Sequence, residues 1–180
     1  MKTRADLLAA LERHTPHDSH EAGMLERISA FVAGHEDCCE RLLLIGHVTG
    51  SAWVVNPQRT CALMVHHARL GKWLQPGGHA DGSFDILAVA MREVEEETGI
   101  RAAPVSAAIF DVDAHDIPAR KTEPAHVHYD IRYLLEAGMD EQPVVSPESR
   151  DVAWVALDDV ETLNTDASVL RLVEKTKGRP

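Results

Sequence analysis

The stretch of sequence that decides the fold is Gly78–Ile100, GHADGSFDILAVAMREVEEETGI. Its second half, read as a helix, places Glu93, Glu96 and Glu97 at positions i, i+3 and i+4, so that three carboxylates share one face within about one turn. Like charges at this spacing repel each other, and hard divalent cations such as Mg²⁺ prefer carboxylate oxygens as ligands. Such a face is tolerated mainly when it is fully solvated or when a divalent ion neutralises it, and the density of acids favours a cation site here.

The loop before this helix is suited to close approach of the backbone. Residues 76–83, PGGHADGS, combine glycines with residues that favour tight turns. We expect Ser83 to cap the helix, with Asp85 in the first turn where it favours the helix dipole. A glycine-rich loop entering a helix suits oxygen ligands and phosphates. On its other side the helix is expected to bury an apolar stripe formed by Leu87, Ala90, Met91 and Val94.

Loop and helix together resemble the signature of the Nudix hydrolases, G-x5-E-x7-R-E-U-x-E-E-x-G-U, in which U is a bulky aliphatic residue. The one departure is Phe84, which stands where the family has its first glutamate; Asp85 or Asp81 could substitute for it. The resemblance extends upstream through residues 73–78 and downstream to residues 152–159, and it covers roughly residues 42 to 176. The matching positions are Gly78, Arg92, Glu93, Val94, Glu96, Glu97, Gly99 and Ile100.

The pattern of elements and the resemblance both imply an α+β fold, a Nudix-type α/β/α sandwich with a mixed β-sheet. Two helices predicted within residues 2–34 would form an N-terminal helical extension, residues 1–40, followed by a Nudix hydrolase domain, residues 41–180. We expect these two helices to pack on the domain or on a second subunit, as in a homodimer. The main strands are predicted at residues 42–55, 61–67, 105–113 and 126–135, a loop at 119–124, and a last helix at 167–175.

The resemblance implies a metal-dependent pyrophosphohydrolase that cleaves a nucleoside diphosphate linked to another moiety. Mg²⁺ or Mn²⁺ would be held by Glu93, Glu96, Glu97 and a backbone carbonyl of the Gly77–Gly78 pair. Glu93 and Glu96 are predicted to be catalytic, together with Arg92, which would orient Glu93. Water would be the nucleophile. Its proton would pass to Glu93 or to a glutamate of a later loop such as Glu148, and the sequence leaves this choice open.

Several of the eleven histidines follow a pattern. Strand alternation puts His126, His128 and Asp130 on one face, with Val127, Tyr129 and Ile131 on the other. The first set could be a water-exposed polar face, a metal-binding set or a phosphate-binding set, and the sequence does not decide among them. Further residues that could belong to such a histidine-rich site are Asp111, Asp113, His115, His66 and His67. The residues predicted to bind substrate are His79, His126, His128 and Asp130.

Composition excludes several classes of protein. Eighteen Lys and Arg against 29 Asp and Glu give a net charge of −11, which disfavours non-specific binding to nucleic acid or to anionic membranes. No run of apolar residues approaches about 18 residues, so we expect a cytoplasmic protein without a membrane span. The three cysteines, two of them adjacent at Cys38 and Cys39, form neither a disulfide framework nor a zinc-binding spacing.

Two alternative functions remain open on the sequence. A prenyl diphosphate isomerase-like enzyme would share the fold and bind metal through histidines and glutamates. The many histidines favour it, whereas the complete set of acidic positions at residues 93–97 is evidence against it. A catalytically silent Nudix-fold module for binding or regulation is the other alternative, and Phe84 is its support. No helix-turn-helix segment or basic stripe indicates a DNA-binding regulator.

Overall fold

The elements of the fold are taken from a computed structural model, which describes residues 2–120, 124–140 and 142–178. Among these residues none of the helices has the length and apolar character needed to cross a bilayer. The helices are α1 (Arg4–Glu12), α2 (Ser19–Gly34), α3 (Ile86–Thr98) and α4 (Ala167–Lys177), with a short 3-10 helix at Val160–Thr162. The strands are β1 (Gly46–Val55), β2 (Cys61–His67), β3 (Trp73–Leu74), β4 (Gly77–His79), β5 (Ala103–Pro104), β6 (Asp111–Ile117), β7 (His126–Glu136) and β8 (Ser149–Ala156).

The strands form one mixed sheet. Its main path is β3-β2-β1-β7-β5, and β4 pairs with β1, β6 with β7 and β8 with β2. Strand β2 is antiparallel to β1, β3 and β8, and β7 is antiparallel to β5 and β6. Strands β1 and β7 run parallel, because Val127 N–H donates to the Ile45 carbonyl at 3.2 Å and, further along both strands, Ala137 N–H donates to the Val55 carbonyl at 3.0 Å. The predicted mixed sheet is confirmed.

Strand β1 shows that helices cover both faces of the sheet. Every residue of β1 is buried, which is typical of a strand covered on both sides. A Cβ added at Gly50 would lie 2.9 Å from Ile86 Cγ2 of α3. Trp53, an odd number of residues away and so on the opposite face, donates its indole N–H to Thr176 Oγ1 of α4 at 2.8 Å. Helices α3 and α4 thus cover opposite faces, as an α/β/α sandwich requires.

The residues group into two compact units, and β1, α3 and β7 each run along the chain from one unit into the other. In the first unit α2 packs against β6, and Phe31 of α2 stacks on Tyr129 of β7 with ring centroids 4.0 Å apart. In the second unit β8 pairs along the whole of β2. The first unit contains the chain up to Gly50, Gly78–Val89 and Ala107–Tyr133; the second contains Ser51–Gly77, Ala90–Ser106 and the chain from Leu134.

A buried carboxylate joins the N-terminal helices to β6. Glu21 of α2 has no exposed surface, and its Oε1 accepts a hydrogen bond from Val112 N–H of β6 at 3.3 Å. His14 Nε2 lies 2.7 Å from the same oxygen, and His17 N–H donates to Oε2 at 2.6 Å. A carboxylate without partners would be costly to bury, and these contacts offset that cost. The prediction that the N-terminal helices pack on the domain is thereby confirmed.

Several predicted boundaries are wrong. Strand β1 begins at Gly46 rather than at Leu42, because residues 42–45 lie in turns and expose Leu42 by 86%. Strand β6 begins at Asp111, since residues 105–108 are exposed and mostly irregular. An apolar run alone does not distinguish a strand from a loop that places apolar side chains at the surface. Strand β2 has the predicted bounds, and α4 extends two residues beyond its predicted end. The predicted loop at 119–124 lies partly outside the described residues.

Candidate active site

Helix α3 begins at Ile86, two residues later than a cap at Ser83 predicts. Asp85, not Ser83, caps it, because Asp85 Oδ1 accepts from Ala88 N–H at 3.3 Å while Ser83 Oγ accepts from Asp85 N–H at 3.2 Å. Lys2 Nζ also lies 2.8 Å from Asp85 Oδ1. The Lys2 contact is the main reason why the pKa of Asp85 lies below its usual range. Asp85 is thus engaged at the start of the helix.

The buried stripe of α3 is rotated from the predicted one by about one residue. Met91 is exposed and Leu87 only half-buried, so the prediction was wrong at these two positions. The reason is the absence of a side chain at Gly50 of β1, which lets Ile86 and Val89 lie directly against that strand. The fully buried positions of the stripe are Ile86, Val89, Ala90 and Val94.

The carboxylates of α3 lie at the predicted spacing, and Arg92 is paired with two of them. Arg92 Nη2 lies 2.7 Å from Glu93 Oε1, and its Nε lies 3.7 Å from Glu96 Oε1. The Glu93 side chain is 14% exposed, whereas that of Glu96 is 62% exposed. Arg92 therefore holds Glu93 in one orientation beside a solvent-facing Glu96. Glu95 points away and pairs with Arg101 at 2.9 Å.

Glu97 is the most strongly perturbed carboxylate of this face. Its pKa is raised to about 7, mainly by burial and also by the neighbouring charges of Glu93, Glu148 and Glu96, although a hydrogen bond from Gly77 N–H to Oε2 at 3.1 Å opposes the shift. The proximity of four carboxylates, from α3 and from the loop before β8, is a set of oxygen donors that fits a hard divalent cation. The backbone N–H of Gly77 donates to Glu97 of this set. The role of the Gly77 carbonyl as a metal ligand stays a prediction.

Only glycine fits at position 77. A Cβ there would overlap the side chain of Ser51 on the neighbouring strand β1. The close contact lets the backbone of β4 lie directly between β1 and the carboxylate of Glu97. This is the close backbone approach that the glycine-rich loop predicted.

A cluster of histidines lies in the first unit. The alternation predicted for β7 is confirmed, because His126 Nε2 and His128 Nε2 lie 3.1 Å apart on one face while Tyr129 stacks on α2 from the other. His47 of β1 joins them, with its ring centroid 5.2 Å from that of His126 and 4.8 Å from that of His128. His79 of β4 lies 5.0 Å from His47 and 5.2 Å from His128 by the same measure.

Two of these rings are held in the neutral state. Burial, with the nearby His79 and His126, lowers the pKa of His47 to about 4. Burial and the same neighbours, together with His47, lower the pKa of His128 to about 3, although Asp130 opposes the shift. A neutral imidazole keeps a lone pair for a metal ion, but it cannot attract a phosphate by charge. His47 was missed in the sequence, where the only signal is one imidazole in an otherwise apolar strand.

The second polar pattern, on β6, surrounds an arginine that sequence reasoning did not single out. Arg132 of β7 is completely buried, and its guanidinium lies 2.7 Å from Asp130, 3.3 Å from Asp111 and 3.6 Å from Asp113. It donates to His115 Nε2 at 2.9 Å. Burial opposes the charge of Arg132, but the three carboxylates outweigh it and raise the pKa. Asp130, predicted to bind substrate, is 4% exposed and engaged in this cluster.

The remaining histidines of the predicted set have local partners. His66 stacks on Trp73 with ring centroids 5.0 Å apart. His67 Nδ1 accepts from the N–H groups of Arg69 and Leu70 at 3.2 and 3.4 Å, within the turn after β2. These contacts stabilise the end of β2.

Comparison with known proteins relates this geometry to a family. The family model of the NUDIX domain matches residues 47–173. A probable DHNTP pyrophosphohydrolase of Lactococcus lactis subsp. cremoris is 39% identical over 74 residues, which are 40% of this chain and 44% of that protein. The fold is similar to that of a C. elegans Ap4A hydrolase, with a TM-score of 0.58, 17% identity and coverage of 72% and 94% of the two chains. It is also similar to the E. coli dihydroneopterin triphosphate pyrophosphohydrolase, with a TM-score of 0.55, 15% identity and coverage of 71% and 92%.

Proposed function

This chain belongs to the Nudix hydrolase family, and on that premise we propose that it is a metal-dependent pyrophosphohydrolase acting on a nucleoside diphosphate linked to another moiety. The observation that carries the proposal is the carboxylate face of α3, where burial and three neighbouring acids hold the pKa of Glu97 near 7. Arg92 pairs with two of these acids, and a divalent cation would neutralise the negative charge that remains.

The proposed metal ligands are Glu93, Glu96, Glu97 and the carbonyl of Gly77, with Mg²⁺ or Mn²⁺ as the ion. A bound ion of this kind would offset the negative charge of the phosphates and of the leaving group. Glu97 must lose its proton to become a ligand, and the N–H of Gly77 favours that charged form. Arg92 keeps Glu93 oriented through the 2.7 Å contact.

A carboxylate of the same face would accept the proton of the attacking water. Glu93 is one candidate, because Arg92 fixes its position and little of its side chain is exposed. Glu148 is the other, because its charge is close enough to raise the pKa of Glu97. Both stay predictions, and both are of the residue type that acts as a general base in hydrolysis.

The proposed substrate-binding residues are His79, His126, His128 and Asp130. His79 follows the Gly77–Gly78 pair directly in the chain, which supports its assignment. Asp130 is near enough to His128 for its charge to oppose the lowering of the His128 pKa, which supports grouping it with these histidines. Two proteins of similar fold are named for substrates that contain a chain of phosphates, dihydroneopterin triphosphate and Ap4A. The proposal takes from these names only a substrate with linked phosphates.

The two alternatives and the wider setting stay predictions. The histidine cluster favours an isomerase-like enzyme acting on prenyl diphosphates, and Phe84 in the signature favours a catalytically silent binding module. The boundary between a helical extension, residues 1–40, and the hydrolase domain, residues 41–180, a cytoplasmic location and a homodimer are likewise predictions.

The test is release of phosphate or nucleotide from a panel of nucleoside diphosphate derivatives with Mg²⁺ or Mn²⁺. Wild type is compared with Glu96→Gln and with Glu95→Gln, a matched control on the same helix that removes the same charge from an exposed pair with Arg101. We expect Glu96→Gln to lose roughly 100-fold or more in rate, the scale on which one lost electrostatic contact to the transition state is felt, and Glu95→Gln to keep it. Equal rates in both variants, or no turnover by folded wild type, would contradict the proposal.

A further inference from the structure

We propose that His47, His126 and His128, with His79 beside them, form a second metal site that takes a borderline transition-metal dication such as Zn²⁺. This inference makes metal ligands of three residues proposed above to bind substrate directly, His79, His126 and His128. It is independent of the carboxylate face of α3, because its residues all belong to the first unit and none is a carboxylate of that helix. It assigns to the histidines a ligand of a different class from the Mg²⁺ of the carboxylate face.

The distances between the ring nitrogens support a common ion. One ring nitrogen of each of His47, His126 and His128 lies within 4.8 Å of the other two. Nitrogens bound at the usual Zn–N length lie about 3.4 Å apart in a tetrahedral site. The 3.1 Å between His126 Nε2 and His128 Nε2 is close to that spacing. The separations between the His47 nitrogen and the other two nitrogens would each have to shorten by at most about 1.4 Å to reach this spacing.

The tautomer of His126 directs a lone pair into the cluster. Its Nδ1 lies 2.9 Å from the carbonyl oxygen of Pro124, which can only accept, so Nδ1 carries the proton. With the proton on Nδ1, His126 Nε2 accepts a hydrogen bond from His128 Nε2–H at 3.1 Å, and His128 would carry its proton on Nδ1 instead when both Nε2 atoms bind one ion. A second ring N–H that donates to a backbone carbonyl is the arrangement that orients most metal-binding histidines.

His47 provides an independent indication that a ligand is needed. The side chain is 4% exposed, and neither of its ring nitrogens has a hydrogen-bond partner among the described residues. Buried polar groups nearly always have a partner, and a metal ion between the rings would supply one.

The chemistry of the cluster favours a metal over a phosphate group. Imidazole lone pairs bind a metal ion directly, whereas a phosphate needs N–H donors, and the N–H on His126 Nδ1 is already directed at the Pro124 carbonyl. Arg132, a buried cation on the same strand β7, is surrounded by three aspartates. Imidazole nitrogens suit Zn²⁺ and its neighbours in the first transition row, and they are poor ligands for Mg²⁺.

The test is metal binding by the full-length chain, produced without a histidine tag and freed of metal with a chelator. Co²⁺ is added as a spectroscopic substitute for Zn²⁺, and Zn²⁺ affinity is measured by competition with a chromophoric chelator. We expect one equivalent of Co²⁺ to give the intense visible absorption of a tetrahedral nitrogen site, which Zn²⁺ then abolishes. Octahedral coordination by oxygens, as at a carboxylate site, gives only weak absorption.

Four variants decide the assignment, two that remove proposed ligands and two controls. His126→Ala and His128→Ala should each lower Zn²⁺ affinity by more than roughly 10–100-fold, which is the loss caused by removing a group that only hydrogen-bonds to a metal ligand. His66→Ala, a matched control stacked on Trp73, and Glu96→Gln should bind Zn²⁺ like wild type. Circular dichroism verifies folding, and His126→Ala decides if the more buried His128 variant unfolds. Failure of wild type to give the tetrahedral spectrum, or its loss in Glu96→Gln with retention in His126→Ala, would overturn the proposal. Absent hydrolysis with a tetrahedral spectrum would refute only the proposed function.

Discussion

Replacement of Glu97 by glutamine is expected to stabilise the metal-free protein while it removes a proposed metal ligand. Burial and the charges of Glu93, Glu148 and Glu96 make the charged form of Glu97 unfavourable in the folded state. Glutamine has nearly the same shape without the charge. Its side-chain oxygen can still accept the hydrogen bond that Gly77 N–H gives to Glu97 at 3.1 Å.

The magnitude follows from the pKa of Glu97, which is about 7 in the folded protein against an ordinary value of 4.5. Since one pKa unit corresponds to about 1.4 kcal/mol, the shift lowers the free energy of unfolding by at most about 3.5 kcal/mol at high pH. The folded pKa is raised, so the folded state binds more protons between pH 4.5 and 7, and stability falls as the pH rises through this window. Because the titration of Glu97 is linked to that of the neighbouring acids, one substitution recovers only part of this loss. We expect Glu97→Gln to raise the free energy of unfolding by about 1–3 kcal/mol at pH 8.

Urea denaturation in the presence of EDTA measures this gain at pH 8 and at pH 4.5. The gain should be nearly absent at the lower pH, where Glu97 is protonated in the folded state and mutation removes no charge. Glu95→Gln, on the exposed side of the same helix, should change stability by no more than about 0.5 kcal/mol at either pH. Equal or lower stability of Glu97→Gln at pH 8 would refute this account of the site.

Three further substitutions test the packing by urea denaturation. Arg132→Met should lower the free energy of unfolding by about 3–5 kcal/mol, because it leaves three aspartates buried around an uncharged side chain, and a loss below about 1 kcal/mol would contradict the buried ion cluster. Trp53→Phe removes the hydrogen bond to Thr176 and should cost about 1–2 kcal/mol; an unchanged midpoint would show that this bond contributes nothing. Gly50→Ala should cost about 1–3 kcal/mol, since its Cβ would lie 2.9 Å from Ile86, and a stabilised variant would be inconsistent with that contact.

The acidic face of α3 could be predicted from the sequence because every relation in it is local. Residues three and four apart on a helix lie on one face whatever the rest of the chain does, and so Glu93, Glu96 and Glu97 were correctly grouped. The same holds for alternation along β7, which grouped His126 with His128. Local geometry of this kind needs only the identity of the element.

Relations that depend on pairing between distant segments could not be predicted. His47 meets His126 and His128 because β1 and β7 lie side by side in parallel, and this register is set by long-range contacts. The buried stripe of α3 was misplaced for a related reason. The absence of a side chain at Gly50 of β1 decides which face of the helix lies against the sheet. Arg132 was missed because its buried ion pair with Asp111 depends on the pairing of β7 with β6, which the sequence of β7 alone does not show.

The contact of Glu21 with Val112 also bears on self-association. Strand β6 pairs with β7, and at an unpaired strand edge free N–H groups can recruit a strand from another molecule. The carboxylate of Glu21 occupies one such N–H from the side of α2, with His14 and the backbone of His17 fixed behind it. A second copy of the chain therefore meets a helix and a satisfied carboxylate at this place. We therefore expect a chain shortened to its sheet, without the N-terminal helices, to expose this N–H group and to aggregate more readily than the full chain.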